Sequence, residues 1–105
     1  MTYQSPVHGH SFLTLAGDLG PVDVPWMTQE VSRALEGEPH DLVIDMRGAY
    51  RVSPEALALL TSVRSRQRSL NRHLTLVIDL GSPTDRALQA AGLQGLFLTV
   101  RRVPN

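Results

Sequence analysis

Residues 42–60 read LVIDMRGAYRVSPEALALL, and the fold turns on this stretch. Leu42–Met46 (LVIDM) is a short, nearly continuous apolar run, which predicts a strand buried on both faces. Seven residues later, Ser53-Pro54-Glu55 is a helix start: Ser at the N-cap, Pro at the first helical position, an acid in the first turn. Ala56, Leu60, Val63 and Leu70 then mark a buried helical face, while Arg64, Arg66, Arg68 and Arg72 fall on the other. A buried strand followed by an amphipathic helix is half of a β–α–β unit.

The same alternation continues on both sides. Downstream, Leu74–Leu80 (LTLVIDL) predicts a second buried strand. Gly81-Ser82-Pro83 turns the chain into a helix with Ala87, Leu88 and Ala91 inward, which Gly92 ends. Leu96–Val100 (LFLTV) predicts the last strand. Upstream, Ser11–Ala16 (SFLTLA) reads as a strand and Gly17–Val24 as a loop. Asp23 is placed to cap a helix with Pro25 in its first turn, where Trp26, Met27, Val31, Ala34 and Leu35 recur at helical spacing until Gly37. Tyr3–Val7 is a candidate edge strand, pairing antiparallel. Strands alternating with helices predict an α/β fold with a mostly parallel sheet and right-handed crossovers.

With 105 residues, 42% of them hydrophobic and 19% charged, the chain has room for one domain, residues 1–105, with its own core. Cysteine is absent, which excludes disulfides, thiolate metal sites and thiol nucleophiles. No apolar run approaches a membrane span, and MTYQSPVHGH has neither the basic nor the apolar region of a secretory signal. Membrane insertion is not expected, and a cytoplasmic location is. Net charge is zero, against a nucleic-acid binder driven by bulk charge. Residues 1–45 nevertheless carry seven acids against one base, and residues 46–105 nine Arg against three acids. Such a dipolar chain can present faces of opposite sign to a protein partner, unless the halves interleave in the fold. All ten bases are Arg, which reads as the codon usage of a GC-rich, bacterial genome.

Catalytic signatures are weak. Asp45 and Asp79 close two strands at equivalent places, where α/β folds put ligand sites, but no nucleophile or base accompanies them in a recognised spacing. The glycines form neither a dinucleotide fingerprint nor a P-loop. His8 and His10 lack a third ligand nearby, so no metal or cofactor is expected; His40 and His73 are expected in solvent at loop edges. Trp26 is expected in the core or at its rim, an exposed position there implying an interface anchor. The Arg face of the central helix is ordinarily solvated, or else meets an acidic partner or phosphate groups.

Four segments taken in order carry a further signal: Gly17-Asp18-Leu19, Leu42–Met46 with Gly48, Ser53–Leu60 (SPEALALL), and Ala91-Gly92-Leu93 with Leu96-Phe97. Their order and spacing resemble the STAS domain, whose founding members are bacterial anti-sigma factor antagonists, over roughly residues 10–100. The resemblance implies a four- to five-stranded, mostly parallel sheet with three or four helices packed mainly on one face. It also implies a non-enzymatic regulator that binds an anti-sigma factor or related kinase-fold protein.

In that family a Ser at the start of the second helix is phosphorylated, and the added charge abolishes docking. Aligned on that switch, the family's Asp is Ser53, its phosphoserine is Pro54, the next position is Glu55 and its Gly is Ala56; the Asp of the earlier turn is Gly20. The usual serine switch is therefore expected to be missing. Ser53 is the one hydroxyl left in that loop, a shifted phosphosite or simply an N-cap, and Glu55 either a fixed charge or ordinary dipole complementarity. The surface expected to meet a partner is Gly20 and Asp23 in one loop, Tyr50, Arg51, Ser53, Pro54, Glu55, Ala56 and Leu57 in the second, and Ser82 and Thr84 in the third. Two other roles fit the same fold: a small STAS subunit of a lipid-transporting ABC complex, and a sensor module for a nucleotide or small molecule. A homodimer is left open.

Overall fold

The computed structural model describes residues 2–7 and 10–103, with side chains from His10 onward. His8 lies outside the described residues, and with it the first half of the HGH pair. Strands β1 (Thr2–Val7), β2 (His10–Thr14), β4 (Asp41–Asp45), β6 (Leu74–Val77) and β7 (Leu98–Val100) form a five-stranded sheet in the order β1-β2-β4-β6-β7. β1 is antiparallel to β2, and the other neighbours are parallel. Helices α1 (Val24–Ala34), α2 (Pro54–Ser69) and α3 (Pro83–Ala90) connect them.

Register places Leu13, Ile44 and Leu76 side by side, and Leu42 beside Leu74. Side chains alternate along a strand, so these residues share one face. Met27, Val31 and Ala34 of α1 and Ala56, Leu60 and Val63 of α2 join the same buried cluster. Each fully buried Leu or Ile there contributes about 1.5–3 kcal/mol relative to exposure.

The sheet architecture agrees with the α/β expectation, but several local expectations need correction. The stretch 17–24 is not a plain loop. Gly17–Leu19 is a short strand, β3, which pairs in parallel with another unexpected strand, β5 (Ala49–Val52). Runs of three and four residues are too short to show a period-two signal, so neither strand is legible in the sequence. A 3-10 turn, Pro21–Asp23, then leads into α1. Asp23 itself has helical dihedrals, and its side chain makes no cap bond to α1.

Strand ends also shift. Leu74–Leu80 pairs only as far as Val77, apart from the Ile78 N–H bonded to the Val100 carbonyl. Leu96 and Phe97 precede the last strand, and Phe97 packs in the core from a turn. On α2 the buried face ends at Gln67, while Leu70 is exposed past the helix end. On α3, Ala91 is exposed, and Gly92 follows with φ +71°, the left-handed turn that stops a helix.

His40 is the largest departure: it is buried, not solvated. Its Nδ1 lies 2.7 Å from the Glu38 carbonyl, and its Nε2 lies 2.8 Å from the Ala34 carbonyl and 2.6 Å from Ser11 Oγ. The Ser11 hydroxyl is itself 2.8 Å from the Ala34 carbonyl. Gln67, almost fully buried, donates through its amide to the His40 and His73 carbonyls. This polar cluster ties the end of α1 to β2, the start of β4 and the end of α2. His73 is exposed, as expected.

Candidate functional site

Because β2, β4 and β6 are parallel, the segments after them emerge at one edge of the sheet. These are β3 with the 3-10 turn, β5 with the start of α2, and the start of α3. Backbone bonds from Ser53 N–H to Leu19 O and from Gly17 N–H to Gly48 O lock the first two together. α3 packs beside β5. The three loops expected to form one surface therefore do share an edge.

The side chains divide into those that build this edge and those that are exposed on it. Gly20 donates its N–H to Asp23 Oδ2 at 2.9 Å, and Asp23 Oδ1 accepts from Trp26 Nε1 at 2.9 Å. Asp23 is thus occupied in holding its own turn and the half-buried Trp26. Gly20 has an ordinary φ of −83°, so its value lies in space rather than backbone freedom. A Cβ there would collide with the Arg51 guanidinium. Arg51 reaches over this turn to Asp18, Nε to Oδ1 at 2.6 Å. The guanidinium fills the room a side chain at position 20 would need.

Ser53 is the N-cap of α2: its Oγ accepts from the Ala56 N–H at 3.1 Å, and the residue is 7% exposed. Ala56 and Leu57 are buried beneath it, so they position the loop rather than present themselves. Pro54 and Glu55 are exposed. At α3, Ser82 caps by accepting from the Asp85 N–H, Asp85 accepts from the Gly81 N–H, and buried Thr84 faces the Met46 carbonyl at 3.4 Å. The exposed large apolar side chains of this edge are Tyr50 (69%), Val22 (84%) and Leu80 (68%). Val22 and Leu80 were not singled out from the sequence, although an apolar residue inside a Gly/Pro/Asp turn is itself a signal of that kind.

Asp45 and Asp79 do lie at this edge, at and just past the ends of β4 and β6. Asp45, however, is engaged by Arg47 through both oxygens, from Nε at 3.0 Å and Nη2 at 2.7 Å, with the Arg47 N–H also on Oδ1. The Arg47 hydrogen bond holds the Asp45 carboxyl below its ordinary range, against the partial burial that would raise it. A carboxylate clamped this way is a turn anchor, not a free base. Among the described residues no group of three His, Cys, Asp or Glu side chains could hold a metal ion. From this edge, at Val52 and Pro54, an apolar groove of about 480 Å³ runs between α2 and α3, walled further along by Ala58, Thr61, Ala87 and Leu93.

A family model described as "Mlab, STAS domain" matches residues 4–100. The chain is a STAS domain. No curated protein and no solved structure matches the sequence. STAS domains are in general non-enzymatic regulatory modules that often interact with other proteins. Among the described residues this STAS domain has no helix long and apolar enough to cross a membrane.

Proposed function

We propose that this STAS domain is a protein-docking regulator of the anti-sigma factor antagonist type, whose partner is an anti-sigma factor or related kinase-fold protein and whose docking is not switched by serine phosphorylation. The observation that carries the reading is the chemistry at the head of α2. Pro54, which the family resemblance aligns with the phosphoserine, stands exposed and has no hydroxyl to modify. The neighbouring Ser53 hydroxyl faces the helix N-terminus as a cap. A phosphate on Ser53 needs room and solvent that a 7% exposed residue does not have.

What remains on the edge suits a constitutive contact. Tyr50 is an amphipathic anchor of the kind that dominates interfaces, flanked in the chain by Arg51 and followed by Pro54 and Glu55. Ala56, Leu57 and Thr84 are buried behind this edge, while Gly20, Asp23 and Ser82 hold its turns. A second reading is favoured by the same Pro54: a STAS subunit of a lipid-transporting ABC complex, where a permanent docking subunit needs no phosphoacceptor.

The test is binding of the purified protein to purified anti-sigma kinases, and in parallel to ABC ATPases, from the same genome, with and without ATP. Saturable binding to a kinase-fold protein, unchanged by ATP and weakened at least tenfold by Tyr50→Ala, is the expected result. Binding to an ATPase alone selects the second reading. Loss of binding after ATP treatment, with phosphate mapped to Ser53, refutes both.

A further inference from the structure

The opposite edge of the sheet, where β6 and β7 begin and α2 ends, holds a groove of about 610 Å³. Its walls are Arg64, Arg68, Asn71, Arg72, His73, Leu74, Leu96 and Leu98. We propose that this groove binds a phosphate-bearing ligand, its phosphoryl groups held by Arg64, Arg68 and Arg72 and its organic remainder lying along Leu96 and Leu98. The site is remote from the docking edge and goes beyond the docking reading.

Charge is the first argument. The groove is lined by three guanidiniums and no carboxylate. Arg33, Arg47 and Arg51 each have an acid partner, in Glu30, Asp45 and Asp18. Among the described residues Arg64, Arg68 and Arg72 have none. Asp41, which lies outside the groove lining, accepts the His73 N–H at 2.9 Å and lies 3.9 Å from His10 Nδ1. Like charges one helical turn apart repel, so an anion between them relieves a repulsion that the empty groove carries.

Shape is the second. Arg64 and Arg68 are one turn apart on α2, about 6 Å at their Cβ atoms, a spacing that suits two linked phosphoryl groups. Asn71 takes the left-handed conformation, φ 57°, and turns the chain so that Arg72 joins them. The turn also engages two of the helix-end acceptors that oppose an anion: Gln67 O accepts from the Leu70 and Arg72 N–H groups, and Arg68 O from the Asn71 N–H. Guanidinium forks match phosphate geometry. The volume falls within the range of small-molecule sites. The exposed Leu98 gives one wall an apolar surface that inorganic phosphate alone would not use.

A soluble phosphorylated metabolite and a phospholipid headgroup present the same chemistry, so the experiment has two arms. One follows amide shifts in an NMR titration with inorganic pyrophosphate. The other measures co-sedimentation with phosphatidylcholine vesicles, with and without phosphatidylglycerol. Both use the full chain, the double variant Arg64→Gln/Arg68→Gln, and Arg33→Gln as a control. Saturable binding in either arm, weakened at least tenfold in the double variant but not in the control, supports the site. The arm that responds names the source, and salt weakens it in both. In the first arm the shifts should centre on residues 64–73 and 96–98. No binding in both arms, binding unchanged in the double variant, or equal competition by polyglutamate would overturn the proposal.

Discussion

Ser53→Ala and Ser53→Asp separate a cap from a switch, first by stability and then by partner binding. The Ser53 oxygen satisfies one of the four N–H groups that open α2, at 3.1 Å, in a residue buried to all but 7%. Alanine leaves the Ala56 N–H without that acceptor, at a cost of about 1 kcal/mol. For a chain of this length that is a fall in Tm of about 4–8 °C. Aspartate ranks with serine as an N-cap, and its charge is favoured at the positive end of the helix dipole. Ser53→Asp should therefore unfold within about 2 °C of the parent, which is less than 0.5 kcal/mol. The assay is thermal unfolding followed by circular dichroism at neutral pH, repeated in urea to check that the slope is unchanged. A Ser53→Ala protein as stable as the parent would show that the bond contributes nothing and that the hydroxyl is free for another role. A Ser53→Asp protein that loses its partner while Ser53→Ala keeps it would show that the switch has moved by one residue, and would refute the reading.

Three further outcomes follow from the geometry. His40→Ala removes every side-chain bond to the Ala34 and Glu38 carbonyls apart from that of Ser11, and should cost about 3 kcal/mol, read as a drop in Tm above about 10 °C. Arg47→Ala should raise the Asp45 pKa toward the ordinary carboxylate range, measured by NMR titration of its carboxyl carbon. Because the folded-state pKa is the lowered one, the stabilisation is present above the unfolded value and lost as pH falls through the folded one; the gap in stability between parent and variant should close in acid. Gly20→Asp should displace the flexible Arg51 head and break its exposed pair with Asp18, at a cost below about 1 kcal/mol, with a crystal structure showing Arg51 moved and the turn intact.

What the sequence disclosed and what it hid follow one division. Buried strands such as Leu42–Met46 and the α2 start at Ser53-Pro54-Glu55 were legible, because burial on both faces and helix capping are written in consecutive residues. β3 and β5 were not, because their three- and four-residue pairing depends on each other rather than on local pattern. His40 and Gln67 were misplaced or unnoticed for a related reason. A polar residue is buried when a tertiary partner stands ready: Ser11 of β2 comes to His40, and the His40 carbonyl to Gln67. Leu70 failed in the opposite direction: the spacing continued, but the helix had ended.

The same division bears on the docking edge. The expected site residues came together because each follows the end of a parallel strand, a property of topology. Which of them can touch a partner is a property of packing, and packing splits them. Ser53, Ala56, Leu57 and Thr84 are buried and hold the loops in place. Asp23 is tied to Gly20 and Trp26. That leaves Tyr50, Pro54, Glu55 and, in part, Arg51 to meet a partner, with Val22 and Leu80 beside them at the ends of neighbouring loops. A surface of this composition is apolar and rigid at its centre. Of its charges, Arg51 and Arg47 are paired with Asp18 and Asp45, while exposed Glu55 has no ion-pair partner among the described residues. A single phosphate at position 54 would have added nearly two negative charges beside that of Glu55. On the proposed reading, proline there leaves no hydroxyl to carry that charge, and control of docking would pass to the amounts of the two proteins.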